Sequence, residues 1–310
     1  MAGPRDPQGT SMTPIQFASL ARFLKERSGL VLGEDKRYLA EARLGPVARS
    51  RGVASLGALV DLLARGGDLD LAQAVTEAMT TNETYFFRDG APFQRLTEEV
   101  LPKLIAARAA EKRLRFWSAA CSSGQEAYSL AMLLAERSHL LKDWRVEIVA
   151  TDLSSDVVNR AKEGLFSQFE VQRGLPIKLL LKHFVQEGDR WRIEPALRQQ
   201  VQFRTLNLLR DFSSLGRFDV VFCRNVLIYF DDVAKADVLE RLSRQIAPDG
   251  ALVLGAAETT IGLTTSFQPS PGRGGVHYRV PEKTERPVIA AAALAADRPP
   301  LSVVGSAGWR

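Results

Sequence analysis

The sequence predicts an α/β protein, an open parallel sheet with helices on it, preceded by a small all-helical domain. Residues 112–134, KRLRFWSAACSSGQEAYSLAMLL, change from a short apolar run (Leu114 to Ala119) through the small residues Ala120, Cys121, Ser122, Ser123 and Gly124 to a helical recurrence of Glu126, Ala127, Leu130, Ala131, Leu133 and Leu134. Downstream, further short apolar runs alternate with helical patterns. Upstream, residues 13 to 79 read as helices throughout.

The 310 residues are 45% hydrophobic and 25% charged, enough to bury a large core and to leave room for two domains. A net charge of +5 fits an acidic partner without demanding nucleic acid. No apolar run reaches the roughly 20 residues of a membrane helix, and the first ten residues lack a signal-peptide core, so a cytoplasmic location is expected. Two cysteines, Cys121 and Cys223, are too few for a disulfide framework. With three scattered histidines there is no zinc-ligand spacing, and no metal site is expected.

Residues 1–12 read as a flexible lead. Thr13-Pro14 caps and opens a helix that Ser28-Gly29 ends, with Phe17, Leu20, Ala21 and Leu24 on one face. In the next helix Lys36, Arg37 and Arg43 share one arc, opposite Leu39 and Ala42, and Pro46 is expected to break it. Residues 20–52 hold eight basic side chains against four acidic ones, so most of the net charge sits here. Leu56 to Ala64 and Leu69 to Met79 complete a helical domain which, with its linker, spans 13–88.

Met79 to Phe93, MTTNETYFFRDGAPF, follows no amphipathic pattern; its Thr-Asn-x-Thr segment can fix a polar ligand, and Tyr85, Phe86 and Phe87 offer flat apolar surface. A helix from Pro92 to Arg108 leads into the strand, turn and helix of 112–134. The second strand, Val146 to Ala150, runs into Thr151-Asp152, 28 residues beyond Gly124. An acid there can accept both ribose hydroxyls of an adenosine ligand, or simply cap the helix Ser155 to Glu163. Residues 164–200 read as an insertion holding a short helix (Ile177 to Phe184) and a hairpin, FVQEGDRWRI, turning at Gly188-Asp189. Strands at Val201 to Thr205, Phe218 to Asn225, Ala251 to Ala256 and Val276 to Val280, with a helix at Val233 to Ile246, complete a domain over 89–281. The Ala- and Pro-rich residues 282–310 read as a disordered tail.

TTNETYFFRD, FWSAACSSGQEAYSLAMLL, ATDLS, NLL and FDVVFCRNVLIYFD, in that order and with these gaps, resemble the chemotaxis-receptor protein-glutamate O-methyltransferases of the CheR type, over roughly residues 13 to 281. The resemblance implies a Rossmann-like S-adenosylmethionine (SAM)-dependent methyltransferase sheet with an all-helical N-terminal domain and a small inserted antiparallel β-subdomain. It implies cofactor contacts from Asn82, Thr84 and Arg88, the last near the methionyl carboxylate, and from Glu126 at the amine and Asp152 at the ribose. It adds Asn207 and Leu208 at the adenine, Asn225 and Val226 along the fourth strand, and Tyr229 beside the transferred methyl, so that Arg88 and Tyr229 are the catalytic candidates. Lys36, Arg37 and Arg43 would meet acidic receptor helices. Family members that dock on a receptor's C-terminal peptide carry a longer, glycine-rich hairpin loop. Here the turn is only Gln186 to Arg190, so the expectation is a monomer that engages receptor helices without pentapeptide docking.

Transfer to an ionised glutamate needs no general base, in keeping with the absence of histidine from these motifs. Tyr85, Phe86, Phe87 and Tyr229 are expected to keep the site dry, and Cys121 and Cys223 to fill space as small hydrophobes. Two other enzymes fit less well. A nucleic-acid methyltransferase acting on exocyclic amines would end its fourth strand in Asn/Asp-Pro-Pro-aromatic where this chain has Asn225-Val226-Leu227, and a nicotinamide dehydrogenase would need the fuller glycine fingerprint. A non-catalytic adaptor on the same fold would not need the intact site motifs.

Overall fold

The computed structural model describes residues 12–280, so the expected lead and tail lie outside it. Met12 alone of the lead is described, and it is buried in the helical domain. That domain consists of α1 (Pro14–Ser28), α2 (Arg37–Ser50), α3 (Leu56–Arg65) and α4 (Leu69–Met79) around Phe17, Leu20, Leu24, Leu44, Leu59 and Val75. Thr13 opens α1 as a capping box: the Gln16 amide donates to its hydroxyl and its own amide donates to the Gln16 side chain. Two expectations for α2 are corrected. It runs straight through Pro46, because the carbonyl left without a partner belongs to exposed Ala42 and can meet water. Its buried stripe is Ala40, Leu44 and Ala48, and not the side of Leu39 and Ala42; the stripe recurs every fourth position, with a leucine between two alanines.

The run after the linker is α5 (Ala91–Arg95), a π-helical turn at Leu96–Val100 and α6 (Leu101–Ala107). The wider turn sits just before Pro102, whose missing amide cannot continue the α ladder. Then come β1 (Arg113–Ser118), α7 (Gln125–Ala135), β2 (Arg145–Asp152) and α8 (Ser155–Glu163). The insertion holds β3 (Leu165–Ser167), α9 (Gln168–Gln172), α10 (Ile177–His183), β4 (Phe184–Glu187), β5 (Arg190–Ile193) and α11 (Pro195–Gln200). The expected hairpin is β4 and β5, closed by a two-residue turn, and β3 adds a third antiparallel strand on the other side of β5. The chain ends through β6 (Val201–Thr205), β7 (Phe218–Cys223), α12 (Asp232–Gln245), β8 (Ile246–Leu254), β9 (Phe267–Pro269) and β10 (Val276–Arg279).

The main sheet has the order β6-β2-β1-β7-β8-β10-β9, parallel from β6 to β8, with β10 antiparallel between β8 and β9. Strand order reverses at β1, which opens a crevice beyond its carboxyl end. Nearly every residue of α7 is buried, because the insertion covers the face that the sheet does not: Tyr128 packs edge-on against Phe166 at 6.0 Å and its hydroxyl donates to the Ala161 carbonyl. On the opposite face Trp117 packs between Phe212 and Phe218, its indole donating to Thr151 at 2.9 Å.

The helical domain is docked at the carboxyl ends of these strands. The Val31 amide donates to the Tyr229 carbonyl, Lys25 pairs with Asp231 at 2.7 Å, and the Ser155 amide and hydroxyl both donate to Glu77. Gly29 makes the closest approach. At φ 78° it ends α1 in the left-handed region, and a methyl group on it would lie 2.7 Å from the Phe230 ring. Gly29→Ala is therefore expected to lower the unfolding free energy by about 1–3 kcal/mol, measured by urea denaturation. An unchanged midpoint would contradict the close contact.

Candidate functional site

Ten of the residues singled out in the sequence surround one cavity of about 960 Å³ at the carboxyl ends of β1, β2, β6 and β7: Asn82, Thr84, Arg88, Glu126, Asp152, Asn207, Leu208, Asn225, Val226 and Tyr229. Leu30 and Ser28 of the helical domain and Thr80 and Thr81 of the linker form part of its wall.

Asp152 ends β2 with its carboxylate aimed back at the turn after β1. One oxygen accepts from the Ser122 amide at 2.8 Å and the other from the Ser154 amide at 3.0 Å. The capping of α8 falls to Ser154 instead, whose hydroxyl accepts from Val157. Burial pushes the Asp152 carboxyl above its ordinary range, and the two amides oppose that shift. Ser122 is held at φ 48° and donates its hydroxyl to the Asn82 carbonyl, so the turn and the linker are tied to one another.

Glu126, in the first turn of α7, accepts from Ser118 at 2.8 Å and from Arg224 at 2.9 Å. Arg224 also reaches Asp89 at 2.6 Å and the Arg88 carbonyl at 3.0 Å, with only 1% of its side chain exposed. Arg224 is not singled out on the sequence, although an arginine at the end of a strand that is apolar but for Asp219 is the available signal: such a group is buried only when paired. Arg88 itself donates to the Glu83 carbonyl, and Asn207 donates to the Arg27 carbonyl at the end of α1 while accepting from the Leu209 amide.

The expected aromatic lining lies mostly elsewhere. Of the aromatic set only Tyr229 lines the cavity, joined by Phe230. Phe86 is fully buried against Phe166 and Phe184 of the insertion, Phe87 packs on Phe93, and Tyr85 lies under Arg173 at 4.5 Å. Phe87 itself sits in the left-handed region, at φ 50°. Cys121 and Cys223 are fully buried, with burial raising both thiols. Lys36, Arg37 and Arg43 stand apart from the cavity and are not equivalent. Arg37 donates to the Met12 carbonyl and stacks over Phe17, and Arg43 holds the Met79 and Thr80 carbonyls and the Thr81 hydroxyl, leaving Lys36 exposed in the turn before α2.

A cleft at the point of strand reversal, roofed by a helical domain and held by buried carboxylates, defines a Rossmann-like SAM-dependent methyltransferase. Residues 15–80 match the all-alpha domain of the CheR methyltransferase family and residues 82–276 its SAM binding domain. The chain belongs to that family. It is 46% identical over 276 residues to chemotaxis protein methyltransferase 1 of Pseudomonas aeruginosa, covering 87% of this chain and 99% of that one. It is 43% identical over 273 residues to chemotaxis protein methyltransferase Cher2 of Pseudomonas putida (86% and 98%), and 32% identical over 266 residues to a chemotaxis protein methyltransferase of Salmonella typhimurium (84% and 89%).

Removing Arg224 would leave Glu126 buried beside Ser118 without its cation. Arg224→Leu is expected to cost about 3–5 kcal/mol of stability, measured by urea unfolding at neutral pH. A loss below about 1 kcal/mol would mean that the pair is solvated.

Proposed function

We propose that this protein transfers the methyl group of SAM to glutamate side chains on the cytoplasmic helices of methyl-accepting chemotaxis receptors, forming methyl esters and adjusting receptor signalling. It would work in the cytoplasm as a monomer. No helix among the described residues is long and apolar enough to cross a membrane. The observation that carries the proposal is a side-chain set matched to the cofactor and lacking histidine: carboxylates from Asp152 and Glu126 and a guanidinium from Arg88.

The residues fit the cofactor group by group. Asp152 keeps free lone pairs beside its two amide bonds and can accept from the ribose diol. Glu126 offers charge to the methionyl ammonium, and Arg88 offers a cation to the methionyl carboxylate. Leu208 provides an apolar surface for the base, next to Asn207. Asn225 and Val226 carry the wall along from β7 to Tyr229, which would stand beside the methyl group, with Asn82 and Thr84 opposite on the linker.

When bound, SAM supplies an electrophilic methyl on a sulfonium. The acceptor glutamate, with an ordinary pKa of about 4.3, is already ionised, so the protein has to align and desolvate rather than remove a proton. Alignment of this kind can lower a barrier by roughly 7–11 kcal/mol. Leu30, Val226 and Phe230 keep the site apolar where charge is neutralised in the transition state. For receptor docking Lys36 is the member of the basic group whose side chain makes no hydrogen bond or ion pair among the described residues, and Arg37 and Arg43 act mainly by holding the domain's shape. The two-residue turn between β4 and β5 supports engagement without a tethering peptide.

Asp152→Ala is expected to weaken binding of the product S-adenosylhomocysteine by on the order of 100-fold in isothermal titration, two hydrogen bonds to a charged group being lost. Unchanged affinity would refute the ribose assignment. In the parent protein, affinity for that product should fall as acidification protonates Asp152. Because burial raises this carboxyl, the fall should begin at a higher pH than the ordinary aspartate value of about 3.9 would set. Receptor membranes incubated with labelled SAM should acquire base-labile methyl esters, and absence of label from every receptor of the host would refute the proposal. A pentapeptide copied from a receptor C-terminus should show no binding by titration calorimetry; tight binding would overturn the tether-free mode.

A further inference from the structure

The loop that closes the cavity after β7 is held from behind by a carboxylate with no part in the cavity wall. The amides of Asn225, Val226, Leu227 and Ile228 all point to one spot, a backbone arrangement that makes a ready anion site. Glu258, from the turn after β8, fills it. One of its oxygens accepts from Val226 at 2.9 Å, Leu227 at 2.8 Å and Ile228 at 3.3 Å. The other accepts from Asn225 at 2.8 Å and from Gly255 at 2.7 Å. Among the described residues Glu258 makes no ion pair, so backbone dipoles alone compensate its charge. Gly255 admits the carboxylate: a methyl group there would lie 2.7 Å from a Glu258 oxygen and 3.0 Å from the Asn225 nitrogen. Asn225 sits at φ 57°, a conformation that costs a residue with a side chain and persists only where its surroundings impose it.

We propose that Glu258 is a positioning residue: its carboxylate, seated in the amides of residues 225–228, sets the loop that presents Asn225 and Tyr229 to the cofactor and the acceptor. The site is built for a carboxylate in particular. An amide at the same place would turn an NH2 group towards backbone N–H donors on one side, and a truncated side chain would leave five amides facing a hole. That hole would match a small carboxylate anion in size and complement its charge. The inference rests on the methyl-transfer reading of the cavity.

The test uses the full chain and two variants, Glu258→Gln and Glu258→Ala, with turnover per folded protein measured at saturating SAM. Thermal unfolding and S-adenosylhomocysteine affinity are measured alongside, neither of which needs an acceptor. Displacement of the loop should lower kcat roughly 10- to 100-fold in Glu258→Gln, the usual consequence of misplacing reacting groups by about 1 Å. In Glu258→Ala, sodium formate should raise both the melting temperature and kcat in a saturable way, whereas formamide, and sodium chloride at equal ionic strength, should do neither. The parent protein should respond to none of the three. The inference is overturned if Glu258→Gln melts lower yet keeps kcat and product affinity within about twofold of the parent, as a purely structural brace would. It is overturned equally if formate does no more for Glu258→Ala than formamide does. Failure of the parent itself to label any receptor would count against the functional reading, and the formate-dependent melting shift would still decide the role of Glu258.

Discussion

A carboxylate withdrawn from water has to be met by donors, and the site of this methyltransferase is organised by that requirement. Asp152, Glu126 and Glu258 converge on the carboxyl ends of the central strands, and each is satisfied differently. Asp152 takes two backbone amides, Glu126 takes a hydroxyl and a guanidinium, and Glu258 takes five amides from two loops. Their partners are the segments that shape the cavity: the turn after β1, the start of α8, the end of β7 and the turn after β8. Each ionised group therefore fixes backbone as well as offering charge.

The same economy of contacts explains how the helical domain becomes part of the site. Arg43 grips the end of α4, Glu77 near that end accepts from the start of α8, and the linker that follows passes under Ser122 through the Asn82 carbonyl. At the other side the end of α1 meets Asn207, and the following Val31 meets Tyr229. A basic arc that looks on the sequence like a free docking face is thus partly internal framework, and only the geometry separates Lys36 from Arg37 and Arg43.

What could be read from the chain was whatever short-range pattern determines. The strand, turn and helix of 112–134, the helix starting at Thr13-Pro14, the acid closing β2 and the two-residue hairpin all depend on neighbours within a few positions. Strands β3 and β9, three residues each, are too short to show a period. The destination of Phe86 depends on Phe166 and Phe184, and the pairing of Arg224 with Glu126 joins residues 98 apart. Glu258 lies in a turn and carries no periodic signal at all. Its significance exists only once β8 has been laid beside β7, which brings it to amides more than 30 positions earlier. Buried charge was the least legible feature because its meaning lies in the partner.

The docking of the two domains bears on when the site exists. Leu30, Ser28, Thr80 and Thr81 belong to the cavity wall, so the sheet alone offers an open crevice and not a pocket. The contacts that close it are few and mostly polar: one backbone bond to Tyr229, one partly exposed ion pair to Asp231, and the bonds of Asn207 and Glu77. Individually such contacts are worth little in water, of the order of 1 kcal/mol each or less, so the close apolar approach of Gly29 to Phe230 has to supply the register that the polar bonds then hold. A ligand that touches both the strand ends and this roof adds its own binding energy to the docked arrangement and to no other. A group filling the cavity would thus bridge α1, the linker and the strand ends, and so add to the polar bonds that already join them.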